Sequence, residues 1–251
     1  MALPLQLLPQ HPQAFFNRVV TIVELRLEGL FRTRPSYSAV SWESAIQDLD
    51  IAHIVAEPAL KDIEDSVRLR LETVRYETPF SFRYNADIAL ARCCYAICRL
   101  LKPAIILETG VAHGVTSAFL LRALEENNYG MLHSLELPFG KGVDRFVGVA
   151  VPEDLKQRWE LHKGINRRVL PELLRKIGSV DVFVHDSGET YRNLQWEFST
   201  VLPYLRPGGA IIANDIEGNQ AFEELQQLSM RLWLPIEKAG GQRLFGVAIR
   251  S

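Results

Sequence analysis

The alternation of apolar and polar positions predicts strands and helices that follow one another from about residue 87 to the end of the chain. The segments that suit buried parallel strands are residues 104–107, 131–135, 159–163, 180–184 and 210–213. The helices that we place around them include residues 88–101, 170–177, 194–205 and 221–230. Two last apolar runs, at 232–237 and 244–249, flank a glycine-containing link that suits a hairpin. We therefore predict a doubly wound α/β sheet of seven mostly parallel strands with an antiparallel C-terminal hairpin.

The first 86 residues are predicted to be helical. Apolar residues recur at helical spacing over residues 11–32, 42–54 and 60–76, and Ser41 is a candidate N-cap. This part carries neither a glycine loop nor a cluster of acids with histidine. We therefore divide the chain into an N-terminal helical cap, residues 1–86, and an α/β domain, residues 87–251. The cap would pack on the core or on a second subunit, or it would form a lid over a substrate.

The composition of the chain argues against nucleic acid and membranes as binding partners. The chain has 251 residues and a formal net charge of −2, which gives no electrostatic attraction to nucleic acid or to an anionic membrane. It has no apolar run long enough to span a bilayer, and its proline-interrupted start is a poor signal peptide. Three cysteines fall in one predicted helix, where we expect them to pack in a reducing compartment. We expect a cytoplasmic protein without a nucleic-acid or membrane partner.

The segment 103–117 contains the first candidate site. Its predicted strand ends in Glu108, and Gly110 and Gly114 follow before a helix begins. Glycines let the chain turn tightly and let a ligand approach the backbone, while the helix start offers unpaired N–H groups. Ala112 stands where a dinucleotide fold has its middle glycine, which disfavours a nicotinamide-dependent oxidoreductase. Glu136 ends the next strand, so two acids end successive strands at the edge where such sheets bind ligands.

The densest group of ionisable residues follows the fourth predicted strand. His185, Asp186 and Glu189 lie within five residues, and Asn214 and Asp215 end the fifth strand. In one interpretation, Asp186, Asn214 and Asp215 hold Mg²⁺ or another divalent cation, because oxygen donors suit such ions, and the cation acidifies a hydroxyl group. In another, no metal is present and His185, Asp186 or Glu189 accepts the proton. In a third, Asp186 has a structural role and only orders the loop.

Together these motifs resemble those of the class I S-adenosylmethionine-dependent methyltransferases. The more specific resemblance is to the bacterial small-molecule O-methyltransferase-like branch, with relatives of macrocin O-methyltransferase and cephalosporin hydroxylase. It covers roughly residues 79–249, through ILETGVAHGVTS, HSLELP, VDVFVHDSGETYRN, LRPGGAIIANDIEGN and RLFGVAI. It implies a Rossmann-like fold and methyl transfer from S-adenosylmethionine to a small-molecule acceptor, most simply at a hydroxyl oxygen, with S-adenosylhomocysteine as product. Glu189 replaces a histidine of the branch pattern and Asn214 replaces an acid, so a non-catalytic protein that binds the cofactor is the alternative.

The resemblance also implies roles for individual residues. The implied cofactor-binding residues are Glu108, Gly110, Ala112, His113, Gly114, Thr116, Ser117, Glu136, Leu137, Ile165 and Asp186. Among them, Glu136 would hold the ribose hydroxyl groups and Ile165 would lie beside the adenine. Asp186 is the first candidate for the chemistry, followed by Glu189 and His185. For the segment before the helix predicted to begin at residue 88 there are two interpretations: Arg83 or Tyr84 reaches the cofactor carboxylate, or, as we favour, Phe80 and Phe82 belong to the core and Arg83 is solvated. The loop at 138–151 would cover the cofactor or the acceptor. We also expect a homodimer through the N-terminal helices.

Overall fold

The strands of the computed structural model form one sheet. The structure describes residues 12–31, 35–78, 81–82, 85–138, 142–241 and 243–251. Within these ranges the strands are β1 (Ile105–Thr109), β2 (Met131–Glu136), β3 (Trp159–Lys163), β4 (Val180–His185), β5 (Leu205–Asn214), β6 (Met230–Glu237) and β7 (Leu244–Arg250). They form a seven-stranded sheet in the order β3-β2-β1-β4-β5-β7-β6. Strands β1 to β5 are parallel, and β7 pairs antiparallel with both β5 and β6. The predicted doubly wound sheet with its antiparallel hairpin is confirmed.

Helices cover both faces of this sheet. The described α-helices are α1 (Pro12–Phe31), α2 (Trp42–Asp48), α3 (Ala52–Val55), α4 (Pro58–Val74), α5 (Ile88–Leu101), α6 (Val115–Asn127), α7 (Asn166–Ile177), α8 (Tyr191–Val201) and α9 (Ala221–Glu224). One apolar core lies between the sheet and α5 and α6, and a second lies between the sheet and α7, α8 and α9. Because both faces are covered, the central strands consist almost entirely of buried residues. None of the described helices is both long and apolar enough to cross a membrane.

The helices α2 to α4 pack on the first of these cores. Trp42 and Ile63 are buried in the same apolar cluster as α5 and α6, and Val40 pairs with Ile236 at the edge of β6. Helix α1 reaches the other layer, where Glu28 Oε2 accepts a hydrogen bond of 2.8 Å from the backbone N–H of Tyr191 at the start of α8. The N-terminal segment therefore contacts both layers of the sheet. The boundary at residue 86 stays a prediction.

Two predicted helices are shorter than expected. The helix predicted over 42–54 starts as expected, because Ser41 caps Ser44, but it breaks into α2 and α3. Asp50 adopts a φ of +53° between them, and this turn buries Ile51. The helix predicted over 194–205 ends at Val201, because a 3₁₀ turn with a proline in its first positions follows.

The segments around β5 and β6 also differ from the prediction. Strand β5 begins at Leu205 and not at residue 210, since the segment 206–209 runs along β4 with an irregularity in register. Its glycines suggested a turn, whereas in the structure Gly209 lies so close to Asp181 that a Cβ atom would be 2.8 Å from its carbonyl oxygen. Helix α9 ends at Glu224 and not at residue 230, and a 3₁₀ turn follows it.

Candidate functional site

Four acidic side chains end neighbouring strands at the carboxyl edge of the sheet. Glu108 lies on β1 and Glu136 on β2, while Asp186 follows β4 and Asp215 follows β5. The register pairs Glu108 with Ser134 on one side and with Val184 on the other. Because successive residues of a strand face opposite sides, Glu108, Glu136 and Asp186 share the face that carries α5 and α6. The structure thus brings together the acids that the sequence singled out.

Glu108 is completely buried and only half satisfied. Its Oε2 atom accepts hydrogen bonds of 2.6 Å from the hydroxyl groups of Ser117 on α6 and Ser134 on β2. Its Oε1 atom has no hydrogen-bond partner among the described residues. Burial raises the pKa of Glu108 to about 8, although the two serine donors oppose the shift. A buried carboxylate oxygen without a donor fits a ligand that brings an ammonium or hydroxyl group to this position.

The Glu136 carboxylate accepts hydrogen bonds from the backbone of the glycine turn. Its Oε2 atom accepts hydrogen bonds of 2.8 Å from the backbone N–H groups of Val111 and Ala112. Its Oε1 atom accepts one of 2.7 Å from the N–H group of Leu137. A carboxylate has about four acceptor positions, so ribose hydroxyl groups would have to share it with these amides. Ile165, the residue expected beside the adenine, lies near the same edge, where the N–H of Gly164 donates to the Glu136 carbonyl group at 3.0 Å.

The glycine turn requires its glycines. At Gly110 φ is +87°, and a Cβ atom there would lie 2.0 Å from the carbonyl oxygen of Asp186. At Gly114 φ is +83°, and a Cβ atom would lie 2.8 Å from Gly148 Cα. The first glycine therefore lets the turn approach the end of β4, and the second lets the following loop approach the turn. This cradle suits a ligand that lies against the backbone.

The loop predicted to cover the site packs on the turn in its described part. The N–H group of Gly148 donates to the Ala112 carbonyl group at 3.0 Å, and that of Ala150 donates to the His113 carbonyl group at 2.8 Å. The His113 ring is buried and lies 2.9 Å from Thr78 Oγ1 and 2.6 Å from Asn85 Oδ1. His113 therefore links the turn to the end of the N-terminal segment. Residues 139–141 of the loop lie outside the described residues, and so do Arg83 and Tyr84.

Asp186 stands at the centre of the edge. Thr116 Oγ1 donates to its Oδ2 atom at 3.3 Å, and Asn214 Nδ2 donates to its Oδ1 atom at 2.6 Å. Burial and then the nearby Asp215 carboxylate raise the pKa of Asp186 to about 7, while the Asn214 donor and Lys238 oppose the shift. A carboxyl group with such a pKa can take up and release a proton near neutral pH.

Asp215 is paired with two cations of the protein. The Lys238 ammonium group contacts its Oδ1 atom, and Arg243 lies 3.1 Å from its Oδ2 atom. Both cations come from the region that joins β6 to β7. Asn214 turns its amide nitrogen, and not its oxygen, toward Asp186 and Asp215. As placed, Asp186, Asn214 and Asp215 are hydrogen-bonded to one another and to the two cations. That they hold a divalent cation stays a prediction.

Glu189 lies at the outer end of the same group. Its side chain is 45% exposed and pairs with Arg243 at 3.2 Å. Partial burial and then the Asp215 carboxylate raise the pKa of Glu189 above its usual value, and Arg243 opposes this. Solvent at this exposed position weakens both effects. The side chain can therefore meet a ligand that enters from solvent.

His185 faces the opposite layer. Its ring is fully buried, and Nδ1 lies 2.7 Å from Glu197 Oε2 on α8. Since His185 and Asp186 are adjacent, strand alternation separates the two side chains that the sequence grouped together. Its Nε2 atom has no partner within the described part of the chain. This placement suits a positioning role for His185 more than contact with an acceptor.

Glu197 is a buried acceptor that the sequence analysis missed. Besides His185, its carboxylate accepts hydrogen bonds from Thr109, Asn166, Ser187 and Asn193, at 2.6 to 3.2 Å. Burial opposes its ionisation, but the charge and hydrogen bonds of its partners hold the pKa of Glu197 below its usual range. A signal was present, because residue 197 belongs to the apolar stripe of α8 formed by positions 194, 198 and 201. A charged residue on such a stripe must find partners in the core.

A separate groove of about 550 Å³ runs between α4, α6 and the chain before α5. Phe82, Asn85 and Phe119 contribute to its walls. Asn85 also contacts His113, so the groove lies beside the glycine turn and not at the carboxylate edge. We assign no ligand to it.

Comparison with known proteins identifies the domain and its fold. Residues 107–216 match a protein family described as a methyltransferase domain. The O-methyltransferase TomG from Streptomyces achromogenes, involved in tomaymycin synthesis and solved with S-adenosylmethionine, is 18% identical, with a TM-score of 0.56 over 78% of this chain and 90% of that one. An O-methyltransferase from Bacillus cereus, solved with S-adenosylhomocysteine, is 17% identical, with a TM-score of 0.55 over 84% and 98%. A methyltransferase from Podospora anserina, also bound to S-adenosylhomocysteine, is 14% identical, with a TM-score of 0.56 over 86% and 98%. No curated protein matches the chain in sequence.

Proposed function

We propose that the chain is a class I S-adenosylmethionine-dependent methyltransferase that methylates a hydroxyl oxygen of a small-molecule acceptor, since residues 107–216 match a family described as a methyltransferase domain. The observation that carries this proposal is the row of acids on one face of the carboxyl edge, together with an oxygen of Glu108 that has no hydrogen-bond partner in the described part of the chain. S-adenosylmethionine supplies a methyl group on a positively charged sulfur. The relatives solved with this cofactor or its product have the same fold, which supports the assignment of the cofactor to this edge.

The cofactor-binding roles follow from the chemistry of each side chain. Glu108 Oε1 would accept a hydrogen bond from the cofactor ammonium group, since no described protein donor uses it. Glu136 would hold the ribose hydroxyl groups together with the turn amides that it already binds. Gly110 and Gly114 keep the turn free of side chains. Thr116, at the start of α6, would lie near the cofactor carboxylate, where the helix N-terminus favours negative charge.

Asp186 would act as the base. It shares the face of Glu108 and Glu136, and its pKa of about 7 lets it accept the acceptor's hydroxyl proton as the oxygen attacks. Asn214 holds one of its carboxylate oxygens, which fixes the direction of the other. Glu189 would lie on the acceptor side, because it is exposed beside the same group. His185 would act through Glu197 and the wall of the site.

The pairing of Asp215 with Lys238 and Arg243 favours a reaction without a divalent cation. Two protein cations already supply the positive charge that a metal ion would bring to this end of the edge. We therefore expect a chelator to leave turnover unchanged. Strong inhibition by EDTA that added Mg²⁺ or Mn²⁺ reverses would contradict this expectation and restore the metal interpretation.

The decisive experiment measures binding and then transfer. Isothermal titration is expected to show one S-adenosylhomocysteine per chain and no binding of NAD⁺. Small-molecule extracts are then incubated with the protein and S-adenosylmethionine that carries a labelled methyl group. Label in a small molecule, absent with Asp186→Asn, would support an enzyme. If the cofactor binds but no extract is labelled, the alternative of a non-catalytic cofactor-binding protein is favoured, in keeping with the departures at Glu189 and Asn214.

Assembly through α1 belongs to the same proposal. Phe16, Val20, Val23 and Leu27 are each about half exposed and recur at helical spacing, so they form an apolar stripe on α1. Such a stripe suits packing against a second copy of the chain. Sedimentation of the wild-type protein and of Val20→Lys would show a change from dimer to monomer if this is correct. The cytoplasmic location stays a prediction from the sequence.

A further inference from the structure

A second group of ligating side chains lies on the other face of the sheet. His133 is on β2, and Glu160 and His162 are on the edge strand β3. The register places His133 opposite Glu160, while His162 is the next residue on the same face of β3. These three side chains point toward the layer of α7, whereas the neighbouring Ser134 points toward α6 and Glu108. The group is therefore separate from the candidate active site.

The three ligand atoms lie at the spacing that a small transition-metal ion requires. His133 Nδ1 is 3.3 Å from His162 Nε2 and 3.4 Å from Glu160 Oε2. His162 Nε2 is 3.7 Å from the same oxygen. In a tetrahedral site with bonds of about 2.0–2.1 Å, neighbouring ligand atoms are about 3.3–3.4 Å apart. The three atoms thus form nearly one face of such a tetrahedron. The main-chain pairing of β2 with β3 fixes the relative positions of the residues that carry them.

The chemistry of the group suits zinc more than magnesium or calcium. Two imidazole nitrogens and one carboxylate are a common zinc ligand set, whereas harder cations prefer oxygen alone. Each histidine directs one ring nitrogen into the group, Nδ1 from His133 and Nε2 from His162. The Glu160 side chain is 47% exposed, which leaves solvent access for a water molecule as fourth ligand. Lys176 of α7 is the nearby charge that opposes a cation.

We propose that His133, Glu160 and His162 bind one Zn²⁺ ion, which ties the edge strand β3 to β2. Strand β3 lies at an edge of the sheet and pairs only with β2. A metal ion that links β3 to β2 would therefore add stability at a strand held by hydrogen bonds on one side only. The bound ion would also hold Trp159 of β3, whose Nε1 atom donates to Ser134 Oγ at 2.9 Å. This inference does not depend on methyl transfer.

The test uses the full chain without an affinity tag. Isothermal titration with ZnCl₂ is expected to show one ion per chain, and MgCl₂ is expected to show none. Zinc at a hundredfold excess over its dissociation constant should raise the melting temperature by about 5–10 °C. His162→Gln should abolish the binding and the shift, and Glu160→Gln should weaken binding at least tenfold, because each removes one ligand.

The control removes a histidine elsewhere. His53 is exposed on α3, so His53→Gln should bind zinc as the wild type does. Circular dichroism and the melting temperature without zinc show that each variant is folded. Wild-type protein that takes up no zinc at this stoichiometry would overturn the proposal. Equal zinc binding by folded wild type and His162→Gln would overturn it as well, since the ion would then be adventitious.

Discussion

Replacement of Glu108 by glutamine tests the electrostatics of the buried acid and its proposed role in one variant. Burial raises the pKa of Glu108 from 4.5 to about 8. A carboxyl group whose pKa is higher in the folded chain binds its proton more tightly there, so it stabilises the fold at low pH. That stability is fully present below the unfolded pKa of 4.5 and is lost as the pH rises through about 8. Glutamine does not titrate, so the variant lacks this loss.

The expected magnitude follows from the shift. One pKa unit corresponds to about 1.4 kcal/mol, so the Glu108 contribution to the free energy of unfolding falls by about 2.5 kcal/mol between about pH 5.5 and pH 7.5. For a chain of this length, that is a difference of about 5–10 °C in melting temperature. Urea unfolding without cofactor, at several pH values in this range, measures it. The wild type should lose stability relative to Glu108→Gln as the pH rises.

The same variant should bind S-adenosylhomocysteine about 10- to 100-fold more weakly, because a hydrogen bond to a charged group contributes about 1.5–3 kcal/mol. Isothermal titration measures this affinity. Glu172→Gln, at an exposed position of α7, removes the same charge and should change neither property. If the stabilities of wild type and Glu108→Gln run parallel across the pH range, the electrostatic reasoning is refuted. If the affinities are equal, Glu108 does not hold the cofactor.

Three further substitutions address the rest of the site. Asp186→Asn should lower kcat about 10²- to 10⁴-fold with little effect on the affinity for S-adenosylhomocysteine, because only the base is lost. The rate of the wild type should rise as the pH passes through about 7, because the Asp186 carboxyl group must be ionised to accept a proton. Gly110→Ala should destabilise the fold and abolish cofactor binding, because the added Cβ atom would lie 2.0 Å from the Asp186 carbonyl oxygen. Gly178→Ala is the control: Gly178 also has a positive φ, but a Cβ atom there would have no atom within 4 Å, so the free energy of unfolding should fall by only about 1–2 kcal/mol. Glu197→Ala should lower the free energy of unfolding by about 3–5 kcal/mol, because it leaves His185 buried without its acceptor; a cost below about 1 kcal/mol would contradict this.

The fold was predictable from local patterns, and its departures have local causes. Strand β3 occupies the predicted residues 159–163, where the apolar residues Trp159 and Leu161 alternate with polar ones, as in a partly exposed strand. The cap at Ser41 was also found, and its side chain accepts a hydrogen bond from the backbone N–H group of Ser44. The break at Asp50 was missed because helical spacing continues through it, while burial of Ile51 decides the backbone there. Tertiary packing of this kind cannot be read from periodicity.

The acidic residues of the candidate site could be predicted from the sequence, but the residues that pair with them could not. Glu108, Glu136 and Asp186 were found because the carboxyl ends of parallel strands meet at one edge. His185 was grouped with Asp186 because they are adjacent, although alternation directs them to different layers. Lys238 and Arg243 lie more than twenty residues from Asp215, and nothing in the sequence indicates that the hairpin brings them there. Their positions place two cations beside Asp215, at one end of the predicted metal site.

The partners of the four acids explain why two of them are poised for a positively charged ligand. Asp215 faces Lys238 and Arg243, and Glu136 accepts hydrogen bonds from three backbone amides. Glu108 and Asp186 are held by hydroxyl and amide side chains instead, and their pKa values rise to about 8 and about 7. Neither carboxylate forms an ion pair with a cation among the described residues, so each is costly to ionise in the absence of ligand, and a ligand with an ammonium and a sulfonium group would be favoured at these two positions. The acids that lack cationic partners are therefore the ones that most constrain what the edge can bind.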